Sequence, residues 1–194
     1  YTPGYQSQQL DDAIVAEMSR IIPNSSKQRL LRFVHFAITK KCPSRCEHCF
    51  EWDNINKKEV LSYDDLHNVV LRLKETGISQ LHLSGGEPML RVNEIVKLCE
   101  EFRNDMEFWI VTSGFNLTFE NAVKLKQAGV TGVIVSLDHY DENMHNIFRQ
   151  SEDAFKNAVN SVKFSREVDM AVAVSLCATK VFISEENLMH YADF

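Results

Sequence analysis

The sequence predicts an α/β fold built on a parallel sheet. Strand-like and helix-like segments alternate five times along its 194 residues. Alternation of that kind joins parallel strands through helical crossovers. The strand segments are also apolar along most of their length, as expected when both faces of a sheet are covered.

The elements follow in order. Residues 1–8 lack periodicity and read as a tail. Leu10, Ile14, Met18 and Ile21 recur at helical spacing and predict a helix over 9–22, ended by Pro23-Asn24-Ser25-Ser26. Residues 33–39 read as a buried strand. A cysteine loop follows, and 52–58 is polar and irregular. Ser62 is an N-cap for a helix over 63–76, closed by Gly77. A strand over 78–84 and a helix over 91–103 come next; the helix has Val92, Ile95, Val96 and Cys99 on one face. A strand over 107–112 leads to a helix over 118–128, closed by Gly129. A strand over 131–137 leads to a helix over 151–167, with Phe155, Val159 and Val162 on one stripe. A strand over 170–177 and a helix from 185 complete the series. On the last strand Ala171, Ala173, Ser175 and Cys177 share a small-residue face, and Met170, Val172, Val174 and Leu176 share the other. The periodicity leaves an open doubly wound sheet and a closed barrel undecided. A closed barrel needs at least one more strand, so an incomplete chain or an incomplete fold is expected. The first residue is Tyr1, and the natural start is expected to lie elsewhere.

Composition narrows the function classes. Hydrophobic residues make up 44% and charged residues 25%, which suits a globular domain with a sizeable core. The net charge of -6, without a basic run, argues against a nucleic-acid partner. No apolar run approaches the roughly 20 residues of a membrane span. The five cysteines, Cys42, Cys46, Cys49, Cys99 and Cys177, are odd in number and three are clustered. That pattern points to metal ligation in a reducing compartment, hence a cytoplasmic location, rather than to disulfides.

Chemistry is expected at the carboxyl ends of the strands. The first ends in Cys42-x-x-x-Cys46-x-x-Cys49. Thiolates clustered in this way select iron–sulfur clusters, zinc or copper(I). Structural zinc takes four protein ligands, whereas three cysteines leave one metal corner open. His48 is poorly placed as a fourth zinc ligand, since it adjoins Cys49. The second strand ends in Ser84-Gly85-Gly86-Glu87-Pro88, where the glycines admit close approach of a ligand and Glu87 offers a carboxylate to a ligand ammonium; the plain alternative is a tight turn. The third ends in Thr112-Ser113-Gly114. The fourth ends in Ser136-Leu137-Asp138, with Ser136 and Asp138 on one face, suited to ribose hydroxyls; the alternative for Asp138 is to cap the next helix. His35, His82 and Cys99 read as packing residues.

These motifs together resemble the radical S-adenosylmethionine (radical SAM) superfamily, from about Phe33 to Cys177. The stretch from Ser136-Leu137-Asp138 to His145-Asn146-Ile147-Phe148-Arg149 is similar to the branch that includes SPASM peptide-maturing enzymes and a molybdenum-cofactor enzyme. Asn146 and His139 depart from that branch's pattern. The resemblance implies a partial TIM-like (β/α)6 barrel, five of whose βα units lie in this chain, with residues 1–32 as an N-terminal tail and helix and residues 33–194 as the core. It implies a 4Fe–4S cluster on Cys42, Cys46 and Cys49, with S-adenosylmethionine on the open iron. Gly85, Gly86 and Glu87 match the motif for its methionine amino group, and Ser136 and Asp138 lie near its ribose. On the same resemblance His48 is expected near its adenine, Ser113 along the site, and Arg149 paired with its carboxylate. A solvated Arg149 bonded to Asp141 or Glu142 is the alternative. A flavodoxin- or ferredoxin-type reductant is implied, and the substrate is open, a peptide or a cofactor precursor among the choices. A non-enzymatic iron–sulfur or zinc module, and a family member that binds S-adenosylmethionine without cleaving it, are the competing readings.

Overall fold

The computed structural model describes residues 8–21 and 31–194. Strands β1 (Phe33–Thr39), β2 (Gln80–Gly85), β3 (Glu107–Thr112), β4 (Val130–Ser136) and β5 (Ala171–Ser175) form one sheet, parallel throughout, in the order β1-β2-β3-β4-β5. Each strand pairs with the next in sequence. A doubly wound sheet reverses its strand order at a switch point. No reversal occurs among these five, so the sheet is the wall of a partial barrel. Helix α1 (Gln8–Ile21) precedes it. The crossovers carry α2 (Tyr63–Glu75), α3 (Val92–Phe102), α4 (Phe119–Ala128), α5 (Glu142–Arg149) and α6 (Ala154–Glu167), and α7 (Glu185–Asp193) follows β5.

Local chemistry explains the helix ends. Ser62 and Asp65 form a reciprocal capping box at the start of α2, satisfying two amides that have no partner within the helix. Thr118 caps α4, and Gly129, at φ 99°, closes it in the left-handed region that a side chain disfavours. The expected Pro23–Ser26 stop after α1 lies outside the described residues.

The core sits between the sheet and its helices. Leu81, Leu83, Phe108, Ile110, Val133 and Val135 are fully buried against Leu66, Ile95, Leu98, Phe102, Ala122 and Leu125. Each large side chain buried there contributes about 1.5–3 kcal/mol. One expectation needs correction. The strands are not covered on both faces: β1 alternates exposed with half-buried positions before Ile38, and β5 is open along Ala173, Val174 and Ser175. On α1, Ile14 and Met18 are about half exposed. Helix α5 was hidden in the sequence because its buried side chains are His145 and Arg149 rather than apolar residues.

The other face of the sheet is concave. Its middle layer runs in register through His35, His82, Trp109, Gly132 and Ala171. His35 meets His82 edge-on at 4.6 Å, and Phe33 stacks on His82 at 5.3 Å. A Cβ at Gly132 would lie 2.7 Å from the Trp109 ring, so glycine there lets the indole lie across β4. Burial, with repulsion from His35 second, holds the His82 imidazole down at about 4 instead of 6.5. Because the folded value lies below the unfolded one, its stabilising contribution is present above pH 6.5 and is lost as pH falls toward 4. Allowing for solvent screening, the loss is about 1–2 kcal/mol. Urea unfolding of wild type and His82→Phe should therefore diverge across this window, the variant losing less stability on acidification.

Candidate active site

The cysteine loop leaves β1 and is pinned on three sides. On the first, Thr39 O accepts from Gly86 N and Lys41 O from Glu87 N, both at 2.7 Å. A Cβ on Gly86 would lie 2.3 Å from Lys41 O, and one on Gly85 2.4 Å from Thr39 O. The two glycines thus let the second strand's loop lie directly against the first's. On the second side, Asn56, at φ 61°, grips Cys42: its Oδ1 accepts from Cys42 N at 3.0 Å and its Nδ2 donates to Cys42 O at 2.9 Å. On the third, Glu47 N donates to Phe148 O of α5 at 3.2 Å.

One cavity of about 500 Å³ opens at the carboxyl ends of the strands. Cys42, Cys46, Cys49, His48, Gly85, Gly86, Ser113, Ser136, Asp138 and Arg149 all line it. Every expected site residue except Glu87 is brought there, from five separate segments. A volume of that size suits a nucleotide-sized ligand. Cys177, Ser175 and His35 line it as well. The His48 ring lies parallel to Phe148, with centroids 4.6 Å apart.

Glu87 is placed differently from the expectation. Its carboxylate is fully buried and turned inward. Oε1 accepts from Met89 N at 3.1 Å and from the Thr112 hydroxyl at 2.6 Å; Oε2 accepts from Ser113 N at 2.8 Å and from the Ser113 hydroxyl at 2.5 Å. Burial pushes its carboxyl upward, and these four donors oppose the rise. No oxygen is left for a ligand ammonium. Glu87 instead fastens the Gly-Gly loop to the end of β3, leaving main-chain groups of that loop to meet a ligand. Glu87→Gln turns an amide NH2 toward donors, so it should cost about 1–3 kcal/mol in denaturant unfolding.

Asp138 and Arg149 also differ from expectation. Asp141, not Asp138, caps α5, accepting from Met144 N. Arg149 is neither solvated nor free: Nε and Nη2 both donate to Asp138 Oδ2 at 2.6 Å, and Nη1 reaches the Cys46 sulfur at 3.6 Å. Asp138 Oδ1 accepts from Cys177 N at 2.9 Å, and Asp138 N donates to His145 Nδ1 at 3.0 Å. A buried carboxylate thus joins β4, α5 and the loop after β5, and its partner cation touches a cysteine. Asn146 holds the link from α5 to α6: Nδ2 donates to Glu152 O, and Oδ1 accepts from Phe155 N. An aspartate could not donate there, which explains the departure at this position.

Burial pushes the Cys42 thiol up to about 11, partly offset by the Ser44 amide. Burial also raises Cys46, against the pull of Arg149. The cysteines are free, and all three line one cavity. Three thiols on one loop are a soft donor set of the kind that would hold an iron–sulfur cluster. Asn56 is a supporting residue that sequence reasoning missed, while Thr112 and His145 stood in its motifs without the supporting roles seen here. Asn56 had one available signal: asparagine is the side chain that best tolerates left-handed backbone.

Comparison with known proteins identifies the family. The radical SAM superfamily profile matches residues 36–194. The chain belongs to the radical SAM superfamily. It is similar to the GTP 3′,8-cyclase of Aliarcobacter butzleri, at 25% identity over 173 residues, 86% of this chain and 52% of that protein. The GTP 3′,8-cyclase of Nautilia profundicola is 32% identical over 118 residues, 57% of this chain and 36% of that protein. The chain therefore spans about half the length of the first of these curated relatives. Among solved structures, Streptococcus suis SuiB bound to precursor peptide SuiA aligns with TM-score 0.71 at 18% identity, covering 96% of this chain and 40% of that one. Methylornithine synthase aligns with TM-score 0.67 at 16% identity, covering 93% and 52%. These two carry the partial-barrel fold.

Proposed function

We propose that this radical SAM chain cleaves S-adenosylmethionine reductively and begins hydrogen abstraction from a substrate bound beside it. The supporting observation is the meeting, in one cavity, of three free cysteines, the Gly85-Gly86 main chain, Ser136 and the Asp138–Arg149 pair. Cys42, Cys46 and Cys49 are the cluster ligands, and residues 33–194 the catalytic core. When bound and reduced, the cluster supplies one electron that breaks the sulfonium–C5′ bond, giving methionine and a radical that removes a hydrogen atom from substrate.

This chain's own part is placement. Asn56 and the Gly86 contact fix the start of the cysteine loop, and Arg149 presents N–H to Cys46. Hydrogen bonds to cluster sulfurs tune potential. Gly85 and Gly86 offer main-chain groups to an amino-acid moiety, Ser136 faces a sugar, and the His48–Phe148 stack gives a flat surface for a base. The one-electron donor is a flavodoxin- or ferredoxin-type carrier. The GTP 3′,8-cyclase relatives favour a cofactor precursor as substrate, whereas the SuiB fold, seen with a precursor peptide, favours a peptide. Among the described residues no helix is long and apolar enough to cross a membrane, in keeping with a cytoplasmic site.

The test is anaerobic cluster reconstitution followed by dithionite and S-adenosylmethionine. The expected product is 5′-deoxyadenosine. An intact cluster that yields none would defeat this proposal in favour of binding without cleavage.

A further inference from the structure

The cysteine loop is basic in an acidic chain. The protein carries a net charge of -6, yet residues 40–58 hold Lys40, Lys41, Arg45, Lys57 and Lys58 against Glu47, Glu51 and Asp53. Among the described residues none of these five cations forms an ion pair with a carboxylate. Lys41 Nζ donates to Asn56 O at 3.0 Å and Lys57 Nζ to Asn54 Oδ1 at 3.4 Å, neutral partners that leave the charges uncompensated. The nearby Glu59 is turned inward onto Thr39 and the Lys40 amide.

Apolar surface accompanies the charge. Phe50 is 91% exposed and Trp52 51%. A depression of about 210 Å³ is lined by Arg45, Trp52, Ile55 and Asn56. Ile55 lines both this depression and the cofactor cavity, and Phe50 lines the cofactor cavity too, so the depression and that cavity share the same loop. Arg45 adjoins Cys46 in sequence, which places this outer surface one residue from a cluster ligand. Exposed aromatic and arginine side chains on a segment rich in cations have the make-up of a protein interface centre and its rim. Uncompensated charge of one sign steers a partner of the other.

We infer that the outer surface of residues 45–58, centred on Arg45, Trp52, Lys57 and Lys58, docks a small acidic one-electron carrier protein. The inference rests on the proposed function, since the carrier gives up the single electron that the cluster gains, and no atom is transferred. Docking on the cysteine loop brings a carrier close to the cluster without entering the cavity, which stays available for S-adenosylmethionine and substrate.

The experiment uses the cluster-loaded chain and oxidised flavodoxin, with affinity measured by calorimetry across a salt series. Wild type should bind at low salt and weaken steeply as salt rises. The Lys57→Glu/Lys58→Glu double variant should bind at least about tenfold more weakly and lose most of that salt dependence. Lys57→Gln/Lys58→Gln should fall between. Trp52→Ala should weaken binding while keeping the salt dependence. Lys124→Glu, on α4, is the remote control and should bind as wild type does. Reduction of the cluster by methyl viologen radical, a small cation that needs no docking surface, should stay at the wild-type rate in the lysine variants. The inference is overturned if wild type fails to bind, if the double variant binds as wild type does, if Lys124→Glu weakens binding equally, or if the viologen rate falls as far as the affinity. Dithionite-driven 5′-deoxyadenosine formation separates the two claims. Its absence defeats the proposed function, whereas its presence beside unaltered flavodoxin binding defeats the docking surface alone.

Discussion

Cys46→Ala should leave the reconstituted protein without its brown absorbance and without 5′-deoxyadenosine above background, while the fold survives. Cys46 is the buried one of the three loop cysteines, and its sulfur faces the Arg149 guanidinium. Alanine removes one of the three soft ligands on the loop. Cys99 is fully buried in α3, and Cys177, which lines the same cavity, is held on the loop after β5 by its amide bond to Asp138. Loss of the thiol vacates little volume, so the stability cost is about 1 kcal/mol. Cys99→Ala is the matched control. Burial drives its thiol well above the usual range, which makes it inert packing. It should keep full iron. Iron counting, visible absorbance and circular dichroism on both variants check the expectation; full iron in Cys46→Ala would contradict the ligand assignment.

The fold was largely legible because its signals are local and repetitive. Helix stops at Gly77 and Gly129 and apolar strands at 107–112 and 131–137 each depend on neighbours within a few residues. Strand order was not legible, since pairing joins segments far apart in sequence. The order β1 to β5 alone separated a barrel wall from a doubly wound sheet. The site divides in the same way. Motif residues announced where chemistry gathers, because each ends a strand and the strand ends meet. What each side chain does there was less legible. Glu87 reads as a ligand for an ammonium group because a carboxylate after two glycines looks exposed; only the register of β2 with β3 shows Thr112 and Ser113 enclosing it. Asp138 and Arg149 read as separate contacts to a ligand, but eleven residues of turn and helix fold back to make them a pair. Asn56 gave almost no signal, since its partner Cys42 lies fourteen residues earlier.

Arg149→Met should destabilise the chain by about 3–5 kcal/mol, because it leaves the Asp138 carboxylate buried without its cation. The Asp138 and Arg149 side chains are 2% and 9% exposed, so neither recovers hydration by a small shift. In a chain of this size that loss corresponds to roughly 8–15 °C in Tm. The cost belongs to the stranded charge rather than to the pair's net worth, and a second substitution distinguishes these. In Arg149→Met/Asp138→Asn the charge is gone, while an amide oxygen can still accept from Cys177 N, so most of the stability should return. Cluster properties should not return fully with it. Both variants lack the N–H that Arg149 aims at Cys46, and a cation beside a sulfur favours the more negative, reduced cluster. The reduction potential of the cluster should therefore move negative in the single variant, and less far in the double variant, which also loses the Asp138 charge that opposes Arg149 at Cys46. Thermal unfolding and anaerobic potentiometry on the same samples read the two effects apart. If the single variant kept the wild-type potential, the contact of Arg149 with the Cys46 sulfur would carry no electrostatic weight.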